Sequence, residues 1–393
     1  MKRCVSYLLA GVLSFLVAGC WDRTEINDLA FVMATGIDAL PNNKIKLCNQ
    51  FALPTGAGQS QNGNGGKGGK AYFIEDSKGV DVWDSAGFLQ EKLSRKIFTA
   101  HRRIIVIGET FAKRGIRPFL DEFIRHPQSR MSTYILVAKG TTAEDLLQTS
   151  YPFETVPMEA MREILRSKVG LVMDIKDVLG DVLSEQSLVM PAIEKVQRAG
   201  SNKQTFRLSG TAIFHHDKLV GYLDDRKTRG LIWLRQKAQR AVITVQIPKL
   251  HGTISADVIH ASTKIKAKKE HGQIVMYYRA NAEDDISEND TPLDLTKPKN
   301  IKYLEQFLSK DLEERIRTTL DDIQHRYKSD VAEFGPIVHR TYPQDWKKIK
   351  NNWNQDFSKM KVVVQTNVTI RRIGMSGQSL NIPEKKIKKN PPN

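Results

Sequence analysis

Hydrophobic residues recur at every third or fourth position over one long stretch in the last third of the chain. They are Ile301, Leu304, Leu308, Leu312, Ile316, Leu320, Ile323 and Tyr327. This spacing, held over about seven turns, predicts a single long amphipathic helix. Charges of both signs occupy its polar side, which favours a helix packed on a sheet over the alternative, a coiled-coil partner helix.

Hydrophobic and polar residues alternate in other segments, and this pattern predicts strands. Residues 29–37 and 45–51 flank the turn sequence Pro41-Asn42-Asn43, so we expect them to form a hairpin. The longer alternating segments 242–268 and 274–280 are joined by a lysine-rich turn. Both pairs are therefore expected to be antiparallel.

Strand and helix signals mix in the first half of the chain. Residues 103–108 and 133–139 are rich in β-formers, whereas residues 82–93 carry apolar side chains at helical spacing. No strict β-α-β rhythm is present. The predicted fold class is therefore α+β, with two to three mixed α/β domains in series, antiparallel sheets packed with helices, and the long amphipathic helix in the C-terminal domain.

One polar, turn-forming sequence, Ala199-Gly200-Ser201-Asn202-Lys203, is the predicted domain boundary. A chain of 393 residues exceeds what one core usually organises, so several domains are expected. Residues 284–299, acidic and proline-containing, are predicted to be a loop. The predicted divisions are a signal peptide at 1–19, an N-terminal domain at 20–203, a C-terminal region at 204–380 that is split into 204–250 and 251–380, and a basic flexible tail at 381–393.

Residues 55–70 are rich in glycine. Such a segment cannot offset its ordering entropy by burial, so it is predicted to be a mobile loop in the N-terminal domain. A phosphate-binding loop is disfavoured, because Gly66-Lys67-Gly68 has no serine or threonine next to the lysine.

The first nineteen residues have the layout of an export signal. Lys2 and Arg3 form a positively charged start, residues 7–17 are almost wholly apolar, and Ala18-Gly19 supplies the small residues that a signal peptidase accepts. The apolar run is shorter than the stretch of about 20 residues that a spanning helix needs. We therefore expect a signal peptide that is removed.

Cys20 turns this export signal into a predicted lipid-anchoring signal. Val17, Ala18 and Gly19 form the expected recognition sequence of the signal peptidase, and cleavage after Gly19 leaves Cys20 as the first mature residue. Its thiol is expected to carry S-diacylglycerol and its amino group an acyl chain such as palmitate. Two acyl chains hold a protein stably on a bilayer, whereas one does so only marginally. The alternative is an ordinary signal peptide with an incidental cysteine.

Composition adds two further expectations. The formal net charge of +16 indicates anionic lipid headgroups or cell-wall polymers as partners of an exported protein, rather than nucleic acid, with solubility alone as the alternative. Of the three cysteines, Cys4 leaves with the leader and Cys20 is the expected lipid site. Cys48 is therefore predicted to be a buried small hydrophobe without a disulfide partner.

No catalytic constellation is apparent in the sequence, so we expect no enzyme, metal site or cofactor. The chain lacks a Gly-x-Ser-x-Gly elbow, a His-Glu-x-x-His helix and a Cys-x-x-Cys pair. His215-His216-Asp217 is the nearest approach to a metal cluster, but it falls in a predicted tight turn. Asp284-Asp285 and Asp321-Asp322 are interpreted as solvated loop and helix faces. His101 is interpreted as a polar residue at a helix end or strand start, with contact to anionic headgroups as the alternative.

Blocks of residues that match one family occur in order along almost the whole mature chain. The first is Gly19-Cys20-Trp21-Asp22-Arg23-Thr24-Glu25-Ile26, followed by Gly36-Ile37-Asp38. The others are Ser94-Arg95-Lys96-Ile97-Phe98, His101, 104–108, Gly115-Ile116, Asp121, 125–130, Gly210-Thr211-Ala212-Ile213-Phe214, Asp217-Lys218-Leu219-Val220-Gly221, Thr228-Arg229-Gly230-Leu231-Ile232-Trp233-Leu234, Asp330, Phe334-Gly335, Tyr342-Pro343, Trp346, Trp353, Phe357 and Gly374. Together they resemble the Ger(x)C spore germination lipoproteins, the C subunits of nutrient germinant receptors.

This resemblance implies a non-enzymatic receptor subunit of an endospore-forming bacterium, lipid-anchored on the outer face of the spore inner membrane. The implied partners are an A subunit with membrane and soluble parts and a B subunit that resembles an amino-acid transporter. The implied complex senses small nutrients, although no motif here carries the identity of the nutrient. The implied fold is three mixed α/β domains in a row, and the glycine-rich segment is longer than expected for the family.

Two other functions remain as alternatives. An extracytoplasmic solute-binding lipoprotein would capture the nutrient itself between two similar α/β lobes, whereas this chain consists of unlike segments in series. A cell-wall hydrolase would require clustered acids or a set of zinc ligands in a groove.

Overall fold

The structure is a computed structural model that describes residues 25–53, 71–125, 129–184, 187–239 and 241–392. The predicted signal peptide, Cys20 and the glycine-rich segment 55–70 lie outside the described residues. Within those ranges the chain forms two β-sheets with helices packed on them. The predicted α+β class is confirmed.

The first sheet is built from strands of the N-terminal half and the segment that follows it. They are β1 (Leu29–Ala39), β2 (Ile45–Ala52), β3 (Tyr72–Gly79), β4 (Lys96–Phe98), β5 (Ile104–Gly108), β6 (Tyr134–Ala138), β7 (Val189–Gln197), β8 (Gln204–His215) and β9 (Lys218–Leu223). The strand order is β3-β2-β1-β5-β6-β7-β8-β9, with β4 beside β1. The central pairs β1–β5, β5–β6 and β6–β7 are parallel, and antiparallel pairs flank them. The sheet is therefore mixed, whereas the sequence pattern predicted antiparallel pairing.

Helices cover both faces of this parallel centre. They are α1 (Val82–Glu91), α2 (Glu109–Arg114), α3 (Arg117–Arg125), α4 (Ala143–Gln148), α5 (Pro157–Arg166) and α6 (Ile175–Leu183). Ile105 and Ile107 of β5 belong to the same core as α2, α3 and α6, whereas Ile104 and Val106 belong to the core that includes α4 and α5. A strand buried on both faces is apolar throughout, which explains the unbroken apolar run in β5.

The hairpin predicted in residues 29–51 is confirmed as β1 and β2, which pair antiparallel. Asn42 and Asn43 lie in the turn with φ angles of 56° and 60°. Asparagine tolerates this left-handed region better than other residues with a side chain, and short hairpin turns favour it. The turn sequence thus fixes the register of both strands.

The second sheet is formed by the C-terminal part of the chain. Its strands are β10 (Ala241–Ile247), β11 (Gly252–Glu270), β12 (Gln273–Asn289) and β13 (Val362–Arg372), in that order across the sheet. The helices that accompany it are α7 (Asp225–Leu234), α8 (Pro298–Asp321), α9 (Phe334–Thr341), α10 (Pro343–Ile349) and α11 (Trp353–Lys359). Strand β13 runs parallel to β12, because the chain returns through α8 to α11 before it rejoins the sheet.

The long amphipathic helix predicted from residues 301–327 is confirmed. It consists of α8 and a π-helical turn, Asp322–Arg326, that continues it. Its apolar residues are buried against the second sheet, whose strand β13 packs along it. The helix therefore uses its apolar stripe within the chain, as the interpretation of a helix packed on a sheet requires.

The predicted loop at residues 284–299 is wrong over its first part. Strand β12 continues to Asn289, and α8 already begins at Pro298. The acidic composition is misleading, because Asp284 and Ile286 occupy buried positions in the alternation of β12. The cross-strand ladder to β11 and β13 supports the strand at this point.

The predicted boundary sequence Ala199-Gly200-Ser201-Asn202-Lys203 lies in the turn between β7 and β8. Gln197 and Gln204 pair on either side of it, so the first sheet continues through β9. The division of the chain at residue 203 remains a prediction about independent folding units.

Helix α7 packs directly on α8 and joins the two sheets. At their contact, a Cβ atom added to Gly230 would lie 2.7 Å from the carbonyl oxygen of Arg315 and 2.2 Å from Thr319 Oγ1. No side chain fits there unless the helices separate. Gly230 is therefore required by the close approach rather than by its own backbone angles.

We expect Gly230→Ala to destabilise the protein by about 1–3 kcal/mol, because the added methyl group forces the helices apart and overpacks the contact. Urea unfolding measures the change. Gly180→Ala in α6 is the matched control, since a Cβ at Gly180 meets no atom within 4 Å. The control should be stabilised by up to about 1 kcal/mol, because alanine has the higher helix propensity. Equal stabilities of Gly230→Ala and the natural protein would contradict the packing argument.

Candidate functional site at the junction of the two sheets

Polar contacts, in addition to apolar packing, hold the two sheets together at their junction. Lys227 Nζ of α7 lies 2.6 Å from Asp322 Oδ2 at the end of α8. The hydroxyl of Tyr327 donates to the carbonyl of Tyr222 at 2.7 Å, and that of Ser329 to the carbonyl of Phe214 at 2.8 Å. The segment after α8 is thereby tied to β8 and β9 of the first sheet.

A buried ion cluster lies at the same junction. The guanidinium of Arg235, 1% exposed, lies 3.1 Å from Asp181 Oδ2 of α6 and also pairs with Glu333. It donates a further hydrogen bond to the carbonyl of Val331 at 3.3 Å. Burial raises the pKa of Asp181 to about 6, and the nearby charge of Glu333 opposes the lowering effect of Arg235. One cation thus holds two carboxylates from different elements together.

An open cleft of about 960 Å³ lies beside this cluster; we call it the histidine–tryptophan cleft. Its ring-bearing and charged residues are His215, His216, His339, Trp346, Trp353, Arg117, Arg340, Lys350, Asp217 and Asp330. The rings of Trp346 and Trp353 meet edge to face at 5.0 Å, and His339 stacks on Trp346 at 5.5 Å. The cleft contains two tryptophans and two arginines, residue types that are enriched in protein–protein contacts relative to the average surface.

Asp330 organises the wall of this cleft. Its carboxylate accepts hydrogen bonds from the backbone N–H groups of Phe334 at 3.1 Å and Gly335 at 2.7 Å, and from Trp353 Nε1 at 2.8 Å. Burial raises the pKa of Asp330, and these donors oppose that rise because they stabilise the charged form. The carboxylate thereby sets both the start of α9 and the position of Trp353.

The sequence His215-His216-Asp217 forms the predicted tight turn, between β8 and β9. His216 has a left-handed φ of 55°, and the two imidazole rings meet edge to face at 4.6 Å. Asp217 Oδ2 accepts from the backbone N–H of Arg117 at 3.3 Å. The parts of the chain described by the structure contain no group of three or more histidine, cysteine, aspartate or glutamate side chains placed to hold a metal ion.

A second cavity, of about 1110 Å³, lies between α8, the segment after α7 and the strands β10 to β13; we call it the Asp284 cavity. Its charged lining residues are Lys168, Arg229, Lys237, Asp257, Asp284, Asp285, Asp311, Arg315 and Arg372. Asp284 is 1% exposed, and its Oδ1 has no hydrogen-bond partner among the described residues. Burial raises the pKa of this carboxyl to about 7, with smaller contributions from the charges of Asp285 and Asp257.

This environment overturns the interpretation of Asp284-Asp285 as solvated loop acids, because Asp284 is buried on the helix-facing side of β12. The alternation Ala280, Ala282, Asp284, Ile286 in the sequence was the signal that could have shown it. For Asp321 the interpretation as a solvated helix face is confirmed, since it is exposed and pairs with His325 at 2.8 Å. Asp322 is mostly buried and pairs with Lys227 instead.

Two family models match this chain. One, for the spore germination protein N-terminal domain, matches residues 22–195, and another, for the spore germination B3/GerAC-like C-terminal region, matches residues 209–374. The chain belongs to the Ger(x)C family of spore germination proteins.

Relatives and one solved structure agree with this membership. Spore germination protein KC of Bacillus subtilis (strain 168) is 27% identical, over 95% of this chain and 97% of that protein. Spore germination protein B3 of the same organism is 24% identical, over 96% of this chain and all of that protein. The crystal structure of the GerBC protein has the same fold, with a TM-score of 0.57 over 86% of this chain and 96% of that chain at 21% identity.

In this Ger(x)C chain, the residues that carry the family resemblance hold the fold together. The carboxylate of Asp38 accepts from the backbone N–H groups of Ala143 at 2.8 Å and Glu144 at 3.1 Å, at the start of α4. Gly210 has a φ of 80°, and a Cβ there would lie 2.0 Å from the carbonyl oxygen of Leu223. Asp330 has the organising role described above. These three residues of the family signature thus have structural roles.

His101 and Arg102 both contact aromatic rings of the first domain's core elements. The ring of His101 lies 5.3 Å from that of Phe31 and 5.7 Å from that of Phe98, which fits a residue in an aromatic contact at the start of a strand. Arg102, which the sequence did not mark as buried, is 3% exposed and bonds Ser129 Oγ at 3.1 Å. Its guanidinium also lies 4.8 Å from the centre of the Phe123 ring.

Cys48 is fully buried in the core, as predicted, and forms no disulfide with any residue in the ranges that the structure describes. Burial in apolar surroundings raises the pKa of its thiol, which keeps it protonated and unreactive. None of the helices within the described ranges combines the length and apolarity that crossing a bilayer requires.

We expect Asp330→Asn to cost about 2–4 kcal/mol of stability, because the amide NH₂ would face backbone donors and leave at least one of them unpaired. The amide offers one acceptor oxygen to the three donors, so the hydrogen bond of the Trp353 indole is lost or weakened, and tryptophan emission should change together with the urea midpoint. Asp356→Asn, in the first turn of neighbouring α11 and partly exposed, is the matched control; it should cost at most about 1 kcal/mol of stability and leave the emission unchanged. Unaltered emission and stability of Asp330→Asn would show that the carboxylate does not organise the cleft.

The stability of the protein should depend on pH through Asp284. The pKa of this carboxyl is raised in the folded state from 3.8 to about 7, so the folded protein holds the proton more tightly than the unfolded chain. Stability is therefore lost as pH rises from about 4 to about 7, by up to about 4 kcal/mol.

Urea unfolding at several pH values tests this dependence. The stability of Asp284→Asn relative to the natural protein should increase between pH 4 and pH 7 and stay level above. Glu288 is exposed on the same strand, and Glu288→Gln is the control. The difference in stability between this variant and the natural protein should be the same at every pH. Parallel profiles for Asp284→Asn and the natural protein would refute the raised pKa.

Proposed function

We propose that this chain is the membrane-anchored lipoprotein subunit of a nutrient germinant receptor, needed for spore germination in response to small nutrients. It acts by protein–protein interaction rather than by catalysis, with the A and B membrane subunits of the receptor as its partners. The observation that carries the proposal is the end-to-end match to spore germination proteins, which covers 95% of this chain and 97% of spore germination protein KC.

The anchor in this proposal is Cys20, the first residue after the signal-peptidase sequence Val17-Ala18-Gly19. Diacylglycerol on its thiol together with an N-acyl chain suffices for stable attachment to a bilayer. Strand β1 begins at Leu29, nine residues after Cys20. An extended chain spans at most about 3.5 Å per residue, so the start of the first sheet stays within about 30 Å of the anchor on the outer face of the spore inner membrane.

The geometry of the described residues supports interaction as the mode of action. The histidine–tryptophan cleft presents two tryptophans on a wall that Asp330 holds rigid, and aromatic anchors in preorganised settings contribute most to protein–protein affinity. The solute-binding alternative is less well supported, because the two sheets differ in strand number and order rather than forming two similar lobes.

Replacement of the anchoring thiol tests the proposal directly. We expect the Cys20→Ala protein to be almost absent from the spore inner-membrane fraction, because no lipid is attached to it. Germination in response to nutrients should be abolished. Cys48→Ala is the matched control: it removes the other mature cysteine and should remain in the membrane fraction. The readouts are immunoblots of membrane and soluble fractions and loss of optical density on nutrient addition.

Co-purification from spore membranes tests the partners. The natural protein, extracted in mild detergent, should bring down two integral membrane proteins of the A and B types. A Cys20→Ala chain that stays fully membrane-bound with unchanged germination would refute the anchor. Recovery of the natural protein without membrane partners would refute the receptor assignment.

A further inference from the structure

The Asp284 cavity combines an apolar wall with two buried carboxylate oxygens that have no hydrogen-bond partner among the described residues, Oδ1 of Asp284 and Oδ1 of Asp285. Leu308 and Leu312 of α8 and Val368 of β13 form part of its wall and are buried. Val169 and Val242 also line it, although they are 69% and 57% exposed. Exposed valines beside an open cavity leave apolar surface that a ligand would cover.

Asp284 is 1% exposed, and its Oδ1 is buried without a hydrogen-bond partner within the described residues. An ionised carboxylate in this position costs free energy unless a cation or donors compensate it, and protonation avoids the charge but leaves its O–H group unpaired. The contrast with Asp330 is direct, since that buried carboxylate accepts three hydrogen bonds. Asp284 is therefore an acceptor without a donor, at the wall of a cavity.

The cations around the cavity do not fill this role. Arg315 pairs with Asp311, and Lys237 lies 3.4 Å from Asp177. The remaining basic side chains, Lys168, Arg229 and Arg372, are exposed to solvent. Asp257 and Asp285 add negative charge near the buried carboxylate, so the potential at Asp284 favours a positive group.

We propose that this cavity binds a small organic cation with an apolar body, whose ammonium group pairs with Asp284 and whose hydrocarbon part covers Leu308, Leu312 and Val368. The carboxylate supplies the charge-assisted hydrogen bond and the apolar wall supplies the desolvated surface. An anionic ligand would meet Asp284 unfavourably, and a neutral one would leave the carboxylate unpaired. The proposed binding requires neither the membrane anchor nor the receptor subunits.

Binding is tested with n-butylammonium chloride on the full-length chain purified in non-ionic detergent, at pH 8, where Asp284 is mostly ionised. Isothermal titration and the thermal unfolding midpoint should both report saturable binding, because a ligand of the folded state raises the midpoint. n-Butanol and butyrate, which have similar apolar bodies but no positive charge, should bind at least about tenfold more weakly.

Variants locate the site. Asp284→Asn should weaken n-butylammonium binding at least about tenfold, whereas Glu288→Gln on the same strand removes an exposed charge and should leave it unchanged. Asp284→Leu keeps the cavity wall apolar and serves as a second variant should the amide disturb folding; it should also lose the binding. Equal affinity of all variants, or saturable binding of n-butanol as strong as that of the amine, would overturn the proposal.

Absence of saturable binding to the natural protein, together with a higher unfolding midpoint for Asp284→Leu, would also overturn it. Asp284 would then be a buried acid with no ligand. Neither result bears on Cys20→Ala or on co-purification, so failure of this proposal is distinguishable from failure of the receptor assignment.

Discussion

The close contact of α7 with α8 at Gly230 is the constraint on which the arrangement of the two sheets depends. Helix α7 follows the last strand of the first sheet, and α8 packs along β13 of the second. The absence of a side chain at Gly230 lets the backbone of α7 approach the carbonyl of Arg315. Once the two helices are in contact, Lys227 reaches Asp322 and Thr319 Oγ1 reaches the carbonyl of Lys227. These two polar contacts between α7 and α8 therefore depend on the close approach that Gly230 allows.

Buried charge is handled in three different ways in this protein. Arg235 neutralises Asp181 and Glu333 in one cluster, and Asp330 is satisfied by three donors. Both arrangements offset the cost of desolvation and fix the elements that supply the partners. Asp284 is as deeply buried, but its Oδ1 has no hydrogen-bond partner within the described residues. Such a group lowers the stability of the fold and does not hold any element in place. This is expected of a residue whose role is to bind a ligand.

Local patterns in the sequence predicted the elements whose formation depends on residues close together in the chain. The spacing from Ile301 to Tyr327 was sufficient for α8, because one apolar stripe packs on one sheet. The asparagines at 42 and 43 were sufficient for the first hairpin, because they tolerate a positive φ. The parallel centre of the first sheet was not predictable, since strand order depends on contacts between segments far apart in the chain.

The candidate sites were harder to predict for the same reason. The sequence 284–299 is acidic, and composition favours a loop, but the ladder to β11 and β13 places Asp284 inward. Nothing near Arg235 in the sequence indicates its two partners. Asp181 lies 54 residues before it, and Glu333 lies immediately before α9. Asp330 was noted only through the family resemblance, and its three donors became apparent in the structure.

The Asp284 cavity lies at the junction of the two sheets, so a ligand bound in it would contact the elements that form the junction. Its lining includes Trp233 at the end of α7, Leu312 on α8 and Asp284 on β12, so one occupant would contact both sides of the α7–α8 pair. A ligand that binds only this arrangement stabilises it by mass action, in proportion to its occupancy. The junction is also where the histidine–tryptophan cleft is built, through Asp330 and the segment after α8. Occupancy of the cavity would therefore strengthen the frame that presents the aromatic cleft, without any change in the cleft residues themselves.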